Sequence, residues 1–237
     1  MLGGSLGIQS GSRLEMARIS PHLPILVAGA LMLAACADDQ PSEVARFDHT
    51  PKSCRALANF TSSAISRFVG PIYTDEGLSE VNLDELPPTP GARNYGCDVH
   101  FIAAGFPSGP AGEPATRSVN VSFKLYDSGD RTGKAKDSFR LLRDSATEKP
   151  KVSAAKSITG LGDEAYVVDD ASLSSASTAV TFRISNMMVT VGARGSDFGE
   201  GRSNNGEPSP GLVASVHSAT EAIAHAVAPN LDSIVNE

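Results

Sequence analysis

The chain has no tryptophan, only three cysteines and few aromatic residues of any kind, and its lysines and arginines form no run. Scarce aromatic rings exclude the stacking platforms on which single-stranded nucleic acid or sugars are held. A formal charge of -7 with no basic cluster argues against nucleic acid as a partner, because a polyanion is bound by grouped cations. No apolar stretch reaches the roughly 20 residues that a membrane-spanning helix needs. What is present suits a globular protein: 41% of the 237 residues are hydrophobic and 20% charged. With the leading segment set aside, about 200 residues remain, enough for one core.

The leading segment carries the most specific signal. Leu23 to Ala35 reads LPILVAGALMLAA, preceded by Arg18 and ending in small residues, which is the length and polarity of a signal-peptide core. It ends Leu33-Ala34-Ala35-Cys36, which resembles the lipobox of bacterial prolipoproteins. That resemblance implies cleavage between Ala35 and Cys36, a diacylglyceryl thioether on the Cys36 sulfur and possible acylation of the new amino terminus. The competing reading, an ordinary secretory cut after an A-x-A pattern, is partly imitated by Ala34-Ala35. Met16 opens a compact basic segment, MARISPHLPILV, so residues 1–35 are expected to be a signal peptide whose true start is Met16. Two or three acyl chains make a durable anchor where one is reversible. The expectation is therefore a protein on the outer face of the cell membrane, partnered with that membrane through its lipid. After Cys36, residues 36–53 are polar and proline-punctuated and read as a flexible tether to a globular domain over 54–237.

Setting Cys36 aside leaves Cys54 and Cys97, an even pair that in an exported protein reads as a disulfide. A two-cysteine metal site would need histidines at ligand spacing, and none is placed there.

Periodicity gives the elements. Leu57, Phe60, Ala64, Ile65 and Phe68 recur at helical spacing, and Gly70-Pro71 stops the run. Leu83 to Gly96 is rich in proline and glycine and reads as a loop. Cys97–Ala103 and Ser118–Tyr126 alternate as half-buried strands. A second helix is expected after Gly129-Asp130, with Ala135, Phe139, Leu142 and Ala146 inward and Lys134, Lys136, Arg140 and Arg143 on the wet side. Glu164–Asp169 follows a Gly160-Leu161-Gly162 turn. Residues 179–194 read as a hairpin about Ser185-Asn186, where asparagine suits a left-handed turn position. Gly195–Pro208 is a loop whose Asp197, Glu200, Asn204, Asn205 and Glu207 lack the spacing of a calcium loop. Ser209-Pro210 caps a final helix with Leu212, Val216, Ala219, Ile223 and Val227 inward, ended by Pro229. The predicted order is helix, two strands, helix, three strands, helix. It gives an α+β single domain, an antiparallel sheet with helices packed against it, with two loosely similar helix-strand-strand halves as a possibility.

The lipobox, the helix opening at Cys54, the Gly96-Cys97 strand start, the Gly160–Tyr166 segment, the Arg183–Val191 hairpin around Asn186 and the terminal alanine-rich helix together resemble actinobacterial lipoproteins. More narrowly they are similar to the group called domain of unknown function 3558, and the extracellular sensor domains of mycobacterial receptor kinases share some of these features. The resemblance implies a place at the cell envelope and no assigned reaction.

Catalytic motifs were sought. Ser153-Ala154-Ala155-Lys156 matches S-x-x-K and Arg131-Thr132-Gly133 mimics K-T-G, but in the wrong order and with no S-D-N element. There is no G-x-S-x-G elbow, and Gly160-Leu161-Gly162 lacks the third glycine of a dinucleotide fingerprint. His217 and His225 lie eight apart, not at metal-ligand spacing, and read as surface residues. No catalytic residue, metal or cofactor is expected. Two classes remain: a binding or sensing module for an envelope lipid, small ligand or partner protein, and an envelope hydrolase with an unrecognised site. An apolar pocket favours the first, and Asp, His and Ser within hydrogen-bond reach favour the second.

Overall fold

In a computed structural model of the chain, the described residues are 44–70, 73–81, 90–103, 115–146, 152–172, 175–196 and 207–237. The expected signal peptide with its cleavage site at Ala35 and Cys36, the first half of the Leu83–Gly96 segment and, apart from Glu207 and Pro208, the candidate calcium loop after Ser196 lie outside them.

Among the described residues seven strands pair antiparallel in the order β1-β2-β3-β7-β6-β5-β4: Tyr73–Val81, Ala92–Ala103, Thr116–Tyr126, Lys156–Ser157, Glu164–Ser172, Ser175–Ile184 and Met187–Ser196 for β1 to β7 in chain order. Three helices pack on one face: α1 (Cys54–Val69), α3 (Pro210–Val227) and the short α4 (Leu231–Asn236). The fourth, α2 (Arg131–Ala146), covers part of the other. This is the expected α+β class.

Alternation explains the layering. On β3 the side chains of Val119, Val121, Phe123 and Leu125 are buried on the face under α1 and α3. They lie beside Ala193, Val191, Val189 and Met187 of β7 in register. On the other face Tyr126, Tyr166 and Met188 meet Ala135 and Phe139 of α2. The Phe139 and Tyr166 rings stand edge to face, centroids 5.2 Å apart. The strands β1-β2-β3 and β5-β6-β7 form two meanders joined between β3 and β7. The helices preceding them lie on opposite faces, so the two halves share strand order and not layering.

Several expectations are corrected. β2 starts at Ala92, not Cys97, because β3 offers it ladder partners down to Tyr126; the glycine- and proline-rich loop ends at the turn before it. Tyr73–Val81 is an additional edge strand whose register shift between Asp75 and Leu78 breaks the alternation that reveals strands. A two-residue β4 adds a fourth strand after α2. Leu142 is 42% exposed and Leu141 70%, since α2 overlies only one end of its sheet face and buries little beyond Thr132, Ala135 and Phe139. α3 ends at Val227, just before Pro229, as expected, but the chain goes on through a 3-10 turn, Ala228–Asn230, into an additional helix, α4, where Leu231, Ile234 and Val235 are buried.

The hairpin turn holds another difference. Ser185, not Asn186, takes the left-handed conformation, at φ 53°. Asn186 is fully buried, and its role is that of its amide: Nδ2 donates to the carbonyls of Phe47 and Tyr126, and Oδ1 accepts from the amides of Arg46 and Phe47. Phe47 itself is 3% exposed and belongs to the main core. Residues 44–53, read from the sequence as tether, therefore include a strap docked on the folded body through Arg46 and Phe47. Composition misled here because a single phenylalanine and a distant asparagine, not a periodic pattern, fix the segment.

Candidate functional site

α1 has two unlike flanks. Leu57, Ala64, Phe68 and Val69 are buried in the core, while Ala58, Thr61, Ser62, Ile65 and Ser66, with Leu57 and Val69 at their border, line a groove beside the helix. Opposite them the sheet presents Val99 and Phe101 from β2 and Val119 and Val121 from β3. Short side chains facing β-branched ones cannot close the gap, and a groove of about 350 Å³ remains between helix and sheet. That volume lies within the roughly 300–1,000 Å³ typical of small-molecule sites. Its walls are mostly apolar, and its polar groups are hydroxyls on the helix side. Thr61 is buried and donates its hydroxyl to the Leu57 carbonyl. Ser62 and Ser66, one turn apart, are exposed.

A covalent brace lies beside the groove. Cys54, the first residue of α1, is disulfide-bonded to Cys97 of β2, with Cα atoms 5.7 Å apart and a sequence separation of 43. Cys97 also lines the groove. The Tyr95 hydroxyl lies 3.5 Å from the Cys54 sulfur, and the Tyr95 ring is tilted against Phe123. At the other end α1 stops at Gly70, φ 77°, whose amide donates to the Ser66 carbonyl.

Charged groups cluster elsewhere. At the strap, Arg46 pairs with Asp232 of α4, and Arg131 donates to Asp48 at 2.8 Å. The Arg131 guanidinium holds the Asp48 carboxyl below the usual carboxylate range, first through this hydrogen bond and then through its charge. Arg183, 3% exposed, binds Glu164 and Asp163 and donates to the Ser185 carbonyl, which braces the Gly160–Tyr166 segment against the hairpin. Gly162 belongs to this brace: it has φ +63°, and a Cβ there would meet the Arg183 carbonyl at 2.5 Å. These are structural devices that account for the short motifs in that part of the sequence.

Two histidines sit against carboxylates among the described residues. Asp98 and His100 are 2.6 Å apart on the open face of β2. His217, expected at the surface, is half-buried; its Nδ1 is 2.8 Å from Asp169, which also accepts from the Thr178 hydroxyl, and its Nε2 is 3.5 Å from Glu221. Among the described residues neither imidazole is hydrogen-bonded to a serine or cysteine nucleophile. The Ser153 hydroxyl oxygen accepts from the Asp169 amide, and Lys156 lies on the exposed β4. His225 is exposed. Among the described residues no cluster of His, Cys, Asp and Glu is placed to hold a metal, and no helix is long and apolar enough to cross a membrane.

Sequence reading found the Cys54–Cys97 pair and the inward stripe of α1. It missed the groove, whose signal is the hydroxyl spacing Thr61, Ser62, Ser66 on the second flank of an otherwise apolar helix. It also missed the amide role of Asn186.

No family model matches the chain, and no curated protein matches it. Among solved structures, the extracellular domain of PknH from Mycobacterium tuberculosis is similar at a TM-score of 0.43 and 12% identity, over 80% of this chain and 100% of that one. LpqN of Mycobacterium tuberculosis, described as involved in cell envelope biogenesis, is similar at a TM-score of 0.30 and 10% identity, over 65% of this chain and 88% of that one. Likenesses this remote do not bear on what the chain binds.

Proposed function

We propose that the chain is a lipoprotein of the domain of unknown function 3558 group, anchored to the outer face of the cell membrane through Cys36. We propose further that it works there as a binding or sensing module whose ligand enters the α1–sheet groove. The groove carries this reading: a concave apolar site of ligand size, walled by rigid sheet and helix, is the usual form of a small-molecule site. The anchor is supported by the Leu33–Cys36 sequence and by a disulfide suited to an oxidising compartment. With the strap docked from Val44, residues 37–43 can span at most roughly 25 Å, so the body works close to the bilayer.

The test has two parts. Growth with labelled palmitate and membrane fractionation should place label and protein together at the membrane, and Cys36→Ser should release both. Native mass spectrometry of the protein purified from its own host should show a bound small molecule that is lost when Ser66→Trp fills the groove from its exposed side. Turnover of a cell-wall substrate with no bound molecule would reverse the assignment.

A further inference from the structure

From the chemistry of the groove wall we infer that its ligand is a neutral single-chain amphiphile, with an uncharged hydroxyl-bearing head rather than a carboxylate or phosphate. The inference rests on the binding reading above and names the class of ligand.

Three observations converge. First, of the lining residues whose side chains the structure describes, none carries a charge. Arg67 and Arg117, on the same helix and strand, do not line it. Arg67 donates to the Ser63 carbonyl; Arg117 donates to the Thr116 and Ser196 carbonyls and lies over the Phe68 ring. An anionic head brought here would lose water with no cation to replace it, which is costly. Second, Val69 and Gly70, at the C-terminal end of α1, line the groove. That end carries the negative pole of the helix, which repels an anion and accepts hydrogen bonds from hydroxyls. Third, the helix wall offers hydroxyls and nothing stronger. The Thr61 proton is used by Leu57, so it can only accept, whereas the exposed Ser62 and Ser66 hydroxyls, without a partner among the described residues, can both donate and accept. An alcohol or polyol head satisfies this set, and the apolar floor of Val99, Phe101, Val119 and Val121 takes the chain.

The probes are 1-monolauroylglycerol and laurate, which share one chain length and differ in the charge of the head. Binding to the full, disulfide-bonded protein is followed by calorimetry at pH 8, with the wild type, Ser66→Trp and the double variant Ser62→Ala/Ser66→Ala. The neutral probe should bind at least about tenfold tighter than laurate. Ser66→Trp should abolish its binding, and the double alanine variant should weaken it about three- to tenfold without changing the affinity for laurate. Both serines are exposed helix positions, so a folding defect is not expected from either change. Equal or tighter binding of laurate would overturn the neutral class and leave the binding reading standing. Binding of neither probe, or binding indifferent to Ser66→Trp, would overturn both.

Discussion

Asn186 and Phe47, 139 residues apart, are joined by two reciprocal hydrogen bonds: the asparagine Nδ2 donates to the Phe47 carbonyl at 2.8 Å, and its Oδ1 accepts from the Phe47 amide at 3.0 Å. A side-chain amide thus does for the strap what a neighbouring strand does for a ladder, and it also takes the Tyr126 carbonyl and the Arg46 amide. Asn186→Ala leaves buried backbone groups without partners, and the cost of each is about 1–3 kcal/mol. The expected loss is about 3 kcal/mol in a urea titration, with faster amide exchange at Arg46 and Phe47. A change under about 0.5 kcal/mol would mean that the strap does not depend on this residue.

The Cys54–Cys97 link closes a 43-residue separation, for which the chain-entropy model gives about 4 kcal/mol. Replacing both cysteines by serine should lower stability by about 2–4 kcal/mol. Because the link holds the first turn of α1 beside the groove, the variant should also lose affinity for a groove ligand under conditions where it remains folded. Unchanged affinity would separate the brace from the site.

Tyr166 offers a test by pH. Burial pushes its hydroxyl above the ordinary tyrosine range, with a hydrogen bond from Thr181 and the charge of Arg143 acting in the opposite sense. In the unfolded chain the phenol ionises near pH 10, while the folded state keeps its proton, so stability falls as pH rises through that value. The difference in unfolding free energy between wild type and Tyr166→Phe should be constant from pH 7 to 9 and then shift against the wild type. Ultraviolet titration should show that one of the four tyrosines, absent in the variant, ionises late.

α2 separates two apolar residues that periodicity treated alike. Phe139 is 1% exposed and Leu142 42%. Phe139→Ala should cost about 3 kcal/mol or more, whereas Leu142→Lys should stay within about 0.5 kcal/mol. Comparable losses at both positions would mean that α2 is covered in a way this fold does not provide.

These residues also show how far the sequence could be read. The clean alternation of Val119 to Leu125 and the stripe from Leu212 to Val227 reflect local periodicity against one buried face, so both elements were legible. Ser209 too acts as its position suggests, accepting from the Leu212 amide at the start of α3. Tyr73–Val81 was not legible, because a register shift destroys its alternation. Asn186, the strap and the exposure of Leu142 depend on which distant surface happens to cover a residue, and no window of neighbouring residues contains that information. The groove belongs to the same class: its floor comes from two strands and its wall from a helix far from both in sequence.

The most direct measurement is native mass spectrometry of the protein taken from the membrane of its own host, side by side with Ser66→Trp. The account predicts an additional mass on the wild type, released on activation as an uncharged amphiphile, and bare protein for the variant. An identical spectrum for the two, whether both empty or both loaded, would contradict it.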